Sequence, residues 1–256
     1  VLLQNRWQDR FHDDPLVKSA ELLLHERVPR RVLPQAVQPV LPEPASATAG
    51  ELLPVTREID TLRTVTPRVA LLGAAPYTVM VNHSGSGYSR YGELAVTRWS
   101  ADSTSDDSGQ FFFLKDMESG KSWSATRQPL GPLADRSRAI LADDRVTWAR
   151  SEGDIETTTT VSVVPGDAAE VRCVTITNSG RTAREIEITS YAEVVMAPAK
   201  ADRAHPAFSK LFVETEWHAW CNAITATRRP RTPTDPQLWC VHVVNAGPDR
   251  VGFVSC

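Results

Sequence analysis

The feature that most constrains the fold is a recurring alternation of apolar and polar residues, which begins near Val69. Such a period of two is typical of strands buried on one face. Turn-forming residues such as Pro165-Gly166-Asp167 separate the alternating runs. The clearest runs are Tyr77-Val79-Val81, Ile155-Thr157-Thr159-Val161-Val163, Val171-Cys173-Thr175 and Ile186-Ile188. Many strands at short spacing, without a helical period between them, predict an all-β fold: a large antiparallel β-sandwich.

The segments before these strands differ in composition. In residues 1–28, Asp14 can cap a helix that has Pro15 at its first position, and apolar residues follow at helical spacing. Residues 29–67 hold seven of the chain's 18 prolines, which predicts an extended linker. The β-sandwich is therefore predicted over 68–256. Because the chain starts at Val1 and stops just after a strand-like run, we expect it to be part of a longer protein.

Composition and charge argue against several classes of partner. The net charge is -3 at pH 7, so no overall basic field favours nucleic acid. No apolar run approaches the roughly 18 residues that a membrane helix needs, and residues 1–10 do not resemble a signal peptide. We therefore expect no nucleic-acid partner, no direct membrane contact and a cytoplasmic location. In that compartment the cysteines are expected to be free, with Cys173 buried in a strand.

Metal binding is not predicted. His218, Cys221, Cys240 and His242 could be considered as zinc ligands, but their spacing is not that of a zinc knuckle or finger. Each also lies in a strand-like run beside tryptophan or valine. We therefore assign no metal ligands.

The most distinctive segment is the glycine-rich stretch 82–92, predicted to be a loop between two strands. It has no helix after it, which excludes a P-loop and a dinucleotide-binding turn. Tyr88, Ser89 and Arg90 suit sugar stacking and hydroxyl recognition, and we take them as candidate substrate-binding residues. The alternative is a structured hairpin that only packs on a neighbouring domain.

Arg98 completes the candidate substrate-binding set, and it is also expected to pair with a carboxylate. The neighbouring Trp99 is expected in the core. Asp102, Asp106 and Asp107 follow in a segment rich in serine and threonine, which favours a solvated turn over an acid/base pair.

Several strings resemble the phosphorylase region of cyclic β-1,2-glucan synthases, which belongs to the inverting glycoside phosphorylases of glycoside hydrolase family 94. The strings that carry the resemblance include Gly85-Ser86-Gly87-Tyr88-Ser89-Arg90, Leu94-Ala95-Val96-Thr97-Arg98-Trp99, Phe113-Leu114-Lys115-Asp116, Glu187-Ile188-Thr189-Ser190-Tyr191-Ala192 and His205-Pro206-Ala207-Phe208-Ser209-Lys210. Together they cover nearly the whole chain. Residues 1–28, with Arg10-Phe11-His12, resemble the end of the glucoamylase-like domain that precedes this region in the synthases.

The resemblance implies a large β-sandwich, a helical linker, an (α/α)6 barrel and a small β-sandwich. It also implies phosphorolysis with inversion, in which inorganic phosphate attacks the anomeric carbon while one carboxylic acid protonates the leaving oxygen. That acid would lie in the barrel, so no residue here is assigned as catalytic and no bound cofactor is expected. The implied partners are β-glucan, the chain's own barrel and a second copy in a homodimer. Other segments would anchor the parent synthase in the bacterial inner membrane.

Two other functions remain open from the sequence. The chain could belong to a stand-alone phosphorylase of the β-oligoglucan or cellobiose type, which would lack the glucoamylase-like segment. It could instead be a non-catalytic module that binds glucan or holds a dimer together.

Overall fold

The computed structural model describes residues 56–60, 66–100, 105–131, 134–230, 232, 235 and 237–246. All of them belong to one structural unit, 53–256. The helix predicted within 1–28 and most of the linker predicted over 29–67 lie outside the described residues.

The described residues form mainly strands, with two short helices and turns between them. The strands are β1 (Arg57–Ile59), β2 (Val69–Ala74), β3 (Tyr77–Asn82), β4 (Gly87–Tyr91), β5 (Leu94–Thr97), β6 (Gln110–Asp116), β7 (Ser122–Ser124), β8 (Arg136–Leu141), β9 (Arg145–Glu152), β10 (Ile155–Val163), β11 (Glu170–Asn178), β12 (Ile186–Ala192), β13 (Val194–Pro198), β14 (Val213–His218), β15 (Ala223–Arg228) and β16 (Leu238–Val243). The helices, α1 (Ala199–Ala204) and α2 (Pro206–Lys210), follow β13.

These strands assemble into four antiparallel sheets. Sheet I has the order β1-β8-β9-β10-β11, and sheet II has the order β13-β5-β4-β3-β2. Sheet III is β12-β6-β7, and sheet IV is β14-β15-β16. The predicted fold class, an all-β antiparallel sandwich, is therefore confirmed.

Sheets I and II pack face to face over the main hydrophobic core. The alternation along β3 buries Tyr77, Val79 and Val81 on one side, where they meet Trp148 of β9 and Val161 of β10. A second cluster joins sheet III to the end of sheet I through Leu114, Trp123 and Ile155. The period-two pattern thus identifies which face of β3 and β10 is buried.

Two expectations about the edge strands of sheet I, β1 and β11, are wrong. Arg57–Ile59, placed by the sequence in the proline-rich linker, forms β1 and pairs with Ala139–Leu141 of β8. On β11, Cys173 is exposed rather than buried, and Val171 beside it is 53% exposed. The half-buried face of β11 is instead formed by Glu170, Arg172, Val174 and Ile176, and the charges of Glu170 and Arg172 are paired with each other.

The helices α1 and α2 contain six and five residues. No helix in the described part of the chain is long and apolar enough to cross a membrane.

A candidate functional cleft beside the β4 strand

The glycine-rich stretch 82–92 is a tight hairpin rather than an open loop. Residues 83–86 form the turn, and Gly87–Tyr91 is strand β4, paired with β3 on one side and β5 on the other. Because strand residues alternate between two faces, Tyr88 and Arg90 lie on one face of sheet II and Ser89 on the other.

The turn of this hairpin is buried by its own side chains and by neighbouring segments. Asn82 accepts hydrogen bonds at Oδ1 from the backbone N–H of Ser84 at 2.9 Å and of Ser86 at 3.0 Å. Its Nδ2 donates to both carboxylate oxygens of Asp106 at 3.0 Å. The indole N–H of Trp148 donates to the carbonyl of His83 at 2.9 Å. Asp106, expected in a solvated turn, therefore anchors the hairpin through its hydrogen bonds with Asn82.

Ser89 points into the sandwich and away from solvent. Its side chain is 0% exposed, and its Oγ donates to Oε1 of Glu170 at 2.7 Å. The same oxygen accepts from the Tyr77 hydroxyl at 3.2 Å and from Gln110 Nε2 at 3.1 Å, while Oε2 pairs with Arg172. Burial, and next the charge of Glu170, raise the pKa of Tyr77 well above its ordinary value. The structure thus separates Ser89 from the other three candidates.

Tyr88, Arg90 and Arg98 come together on the outer face of sheet II, where they line a cleft of about 130 Å³. The other lining residues come from β5, the segment after it and α1: Ala95, Thr97, Trp99, Ala199, Asp202 and Arg203. The register of β4 with β5 places Arg90 beside Ala95 and brings these side chains to one face.

The aromatic part of the cleft is formed by Tyr88 and Trp99. Their ring centroids lie 5.4 Å apart in an edge-to-face arrangement. Trp99, expected in the core, is 37% exposed and lines the cleft instead. The guanidinium carbon of Arg90 lies 6.0 Å from the Tyr88 ring centroid, at the limit of a cation–π contact. Such a surface can stack on a sugar ring.

Arg98 is fully engaged by protein groups. Its Nε and Nη2 donate to the two carboxylate oxygens of Asp202 at 2.9 and 2.8 Å, and its Nη1 donates to Glu193 at 2.7 Å. Glu193 Oε1 also accepts a hydrogen bond from Lys210 Nζ at 3.0 Å. Hydrogen bonding from Arg98 holds the pKa of Asp202 below its ordinary value. These distances confirm the prediction that Arg98 pairs with a carboxylate. With its donors bound to Asp202 and Glu193, the Arg98 side chain supports the wall of the cleft.

Among the aromatic and ionisable residues that line the cleft, sequence reasoning missed Trp99, Asp202 and Arg203. Asp202 lies 104 positions beyond Arg98 and on a six-residue helix, so no periodicity could pair them. For Trp99 a signal was available, since it lies two positions beyond the end of β5, where a strand's alternation no longer decides burial.

The histidines considered for zinc make other contacts. His218 Nε2 lies 2.9 Å from the Thr225 hydroxyl, and His242 Nε2 lies 3.0 Å from the Ser190 hydroxyl. Within the described ranges no three histidine, cysteine or acidic side chains are grouped as metal ligands would be.

A comparison with protein families matches residues 53–255 to the glycosyl hydrolase 94 supersandwich domain. The chain belongs to the glycosyl hydrolase 94 family. The match begins at residue 53, close to β1, and so includes the strand that the sequence placed in the linker. It also confirms the family resemblance found in the motif strings.

Similar proteins include a glucan synthase and two chitobiose phosphorylases. The chain is 35% identical, over 255 residues, to the cyclic β-(1,2)-glucan synthase NdvB of Rhizobium meliloti (strain 1021). It is 26% identical to the N,N'-diacetylchitobiose phosphorylases of Vibrio proteolyticus, over 142 residues, and Vibrio furnissii, over 158 residues. These alignments cover 98%, 53% and 59% of this chain. The chain spans 9%, 18% and 20% of the length of those relatives, so it corresponds to a small part of each.

Proposed function

We propose that the chain is the supersandwich portion of an enzyme that acts on β-1,2-glucan by inverting phosphorolysis. In this proposal it shapes the site and binds substrate, and it carries no catalytic residue. The parent enzyme uses inorganic phosphate as co-substrate and works in the cytoplasm.

One observation carries the choice of a β-1,2-glucan over other substrates. Similarity to the glucan synthase extends over 98% of the chain, and therefore includes residues before position 53, where the family domain begins. The two chitobiose phosphorylases align over only 53% and 59% of it, at lower identity. A shared segment outside the common domain favours a parent with the synthase arrangement over a stand-alone phosphorylase.

The proposal that this chain binds substrate but does not supply the catalytic acid follows from the chemistry of phosphorolysis. An inverting phosphorylase needs one carboxylic acid to protonate the leaving oxygen, while phosphate replaces the water and base of a hydrolase. Among the described carboxylates of the cleft, Asp202 is bound on both oxygens by Arg98, and its pKa is held low. A carboxylate held in its ionised form is a poor proton donor near neutral pH. Asp202 is therefore not assigned as the acid, which the family resemblance implies to lie in the (α/α)6 barrel.

The substrate is tested on the complete gene product. We expect it to release glucose 1-phosphate from β-1,2-gluco-oligosaccharides and phosphate, with a higher kcat/KM than for cellobiose or N,N'-diacetylchitobiose under the same conditions. A preference for either disaccharide would instead support a stand-alone type of phosphorylase and contradict the proposal.

The role of this chain in catalysis is tested on the chain alone. Incubated with β-1,2-glucan and inorganic phosphate, it is expected to release no glucose 1-phosphate above a buffer control, because the proton donor is missing. The complete gene product at the same molar concentration is the positive control. Clear release by the chain alone would place the chemistry in the sandwich and overturn the assignment to the barrel.

A further inference from the structure

We propose that the outward face of sheet IV binds a neutral glucan chain, at a site that shares no residue with the cleft beside β4. This site goes beyond the proposed function and rests on it only for the linkage of the glucan. Sheet IV consists of β14, β15 and β16 in that order. The orientation of the sheet, the residue types on its outward face and the charge of that face support the proposal.

The other face of sheet IV is covered by the rest of the domain. Arg228 of β15 donates from Nη1 to the carbonyl oxygens of Val195 at 3.0 Å and Ser209 at 3.1 Å. On β16, His242 Nε2 lies 3.0 Å from the Ser190 hydroxyl. Because side chains alternate along a strand, the residues between these covered positions project outward from the domain.

The outward face repeats one arrangement of side chains in two rows. Residues directly opposite each other in antiparallel strands project from the same face. The first row consists of Glu214, Thr227 and Trp239, and the second consists of Glu216, Thr225 and Val241. Each row therefore runs from a carboxylate on β14, through a hydroxyl on β15, to an apolar side chain on β16.

The apolar edge of this face is exposed to solvent. Trp239 is 66% exposed, and Val241 and Val243 on the same strand are 58% and 60% exposed. Tryptophan is highly buried on average in folded proteins, so an indole that a regular strand holds mostly free of contacts is typical of a binding surface. The indole is flat and apolar, and it can stack on the C–H face of a sugar ring.

The polar part of the face supplies hydrogen-bond partners for sugar hydroxyls. Carboxylates accept hydrogen bonds, and a threonine hydroxyl both donates and accepts. Thr225 contacts His218 Nε2 at 2.9 Å, which leaves further hydrogen-bonding capacity on its hydroxyl. Neighbouring rows lie roughly 6–7 Å apart, since each strand residue advances about 3.3 Å. This spacing is comparable to the length of a pyranose unit, so the two rows can contact successive sugars of one chain.

The charge of the face favours a neutral ligand. Glu214 and Glu216 supply two carboxylates, while no lysine or arginine occupies the outward positions of the three described strands. Arg229 approaches Glu214 only at 4.0 Å, and both side chains are more than half exposed. Such a face does not attract nucleic acid or an anionic lipid surface. A protein partner matches it less well, because its apolar residues lie along one edge rather than in a central core with a polar rim.

Binding is tested on the full 256-residue chain by calorimetric titration. The probes are a neutral linear β-1,2-gluco-oligosaccharide, a cello-oligosaccharide of the same length and free glucose. We expect saturable binding of the β-1,2-linked probe, and binding of glucose at least about tenfold weaker because glucose can occupy only one row. Trp239→Ala should weaken oligosaccharide binding about tenfold or more, and Glu216→Gln about threefold, since glutamine keeps the shape but not the charge.

Trp220→Ala is the matched control. Trp220 lies in the turn between β14 and β15, outside both rows, and is 87% exposed. Its replacement removes the same aromatic group from the same sheet and should change the affinity by less than about twofold. Trp239→Phe retains a stacking ring and should keep most of the affinity, with an unchanged Tm. Equal losses in Trp220→Ala and Trp239→Ala would show contact with any exposed indole and overturn the proposal.

The remaining outcomes separate this site from the cleft and from a protein interface. If Arg90→Ala abolishes oligosaccharide binding and Trp239→Ala does not, the cleft alone binds glucan, which overturns this proposal and leaves the proposed function intact. If Trp239→Ala abolishes binding but the complete gene product prefers cellobiose, the site stands and the proposed substrate is wrong. If no oligosaccharide binds, the proposal is overturned, and conversion of a dimer to a monomer by Trp239→Ala in sedimentation would then identify the face as a protein interface.

Discussion

Replacing Gly87 by alanine is expected to destabilise the domain by about 3 kcal/mol, because the added methyl group has no space. A Cβ at this position would lie 2.0 Å from the carbonyl oxygen of Met80 and 2.9 Å from the Cα of Val81. Both atoms belong to the backbone of β3, the neighbouring strand, so no side-chain rotation can relieve the clash. The hairpin must then separate from β3 or lose the bond from the Gly87 N–H to the Ser108 carbonyl at 2.9 Å.

Thermal or urea denaturation measures this effect, with Gly92→Ala as the control. Gly92 also lies in sheet II's hairpins, and a Cβ there would meet nothing within 4 Å. Its φ of +54° makes alanine cost about 1 kcal/mol through backbone strain alone. We expect Gly87→Ala to lower the Tm several degrees further than Gly92→Ala. Equal Tm values for the two variants would contradict the close packing of β4 on β3.

The second large effect is expected from Arg98→Ala. This change leaves Asp202, whose side chain is 6% exposed, without its partner, and an uncompensated buried carboxylate costs about 3 kcal/mol or more. Asp202→Ala should destabilise for the same reason. The double variant should cost less than the sum of the two, because each single change already removes the pair. Denaturation of the three variants gives the coupling free energy.

The exposed pair Arg145–Asp144 provides the comparison for this cycle. Arg145→Ala should change stability little, since exposed ion pairs are screened by solvent. If Arg98→Ala were as mild as Arg145→Ala, or if the cycle showed no coupling, Arg98 would not support the cleft as described.

Acid should destabilise the domain partly through the same pair. The pKa of Asp202 is lowered in the folded state, first by hydrogen bonding from Arg98, so its contribution is present above the unfolded pKa. That contribution is lost as the pH falls through the folded-state pKa. The stability of Arg98→Ala should therefore decline less steeply in acid than that of the unchanged chain. Parallel declines would contradict the lowered pKa.

Sequence alternation predicted the strands where one face is apolar and buried. It succeeded for β3 and β10, whose apolar positions meet in the core between sheets I and II. It misjudged β11, where Val171 is exposed and Glu170 faces inward. Period two identifies two faces, but contacts from other strands decide which one is buried. Here Ser89 and Gln110, far away in sequence, satisfy the Glu170 carboxylate.

The candidate site was predictable in part. The residue types at 88–90 indicated a binding surface, but the glycines suggested a loop, in which Tyr88, Ser89 and Arg90 could share one side. In the structure, the backbone of β3 lies too close to Gly87 for any side chain at that position. Residues 88–90 belong to strand β4 rather than to a loop, so Ser89 lies on the face opposite to Tyr88 and Arg90. The cleft residues on α1, Asp202 and Arg203, could not be predicted from the sequence, because a six-residue helix has too few positions to show a helical period.

The most direct test of the account is the kinetic effect of the cleft variants in the complete gene product. Arg90→Ala and Tyr88→Phe should lower kcat/KM for phosphorolysis by about tenfold to a hundredfold, the loss expected when a buried hydrogen bond of roughly 1–3 kcal/mol is left unmade. Their Tm values should stay close to that of the unchanged enzyme, and Arg145→Ala should change neither quantity. Unchanged kinetics in both cleft variants, or a loss of activity that only follows unfolding, would show that this surface is structural and does not contact substrate.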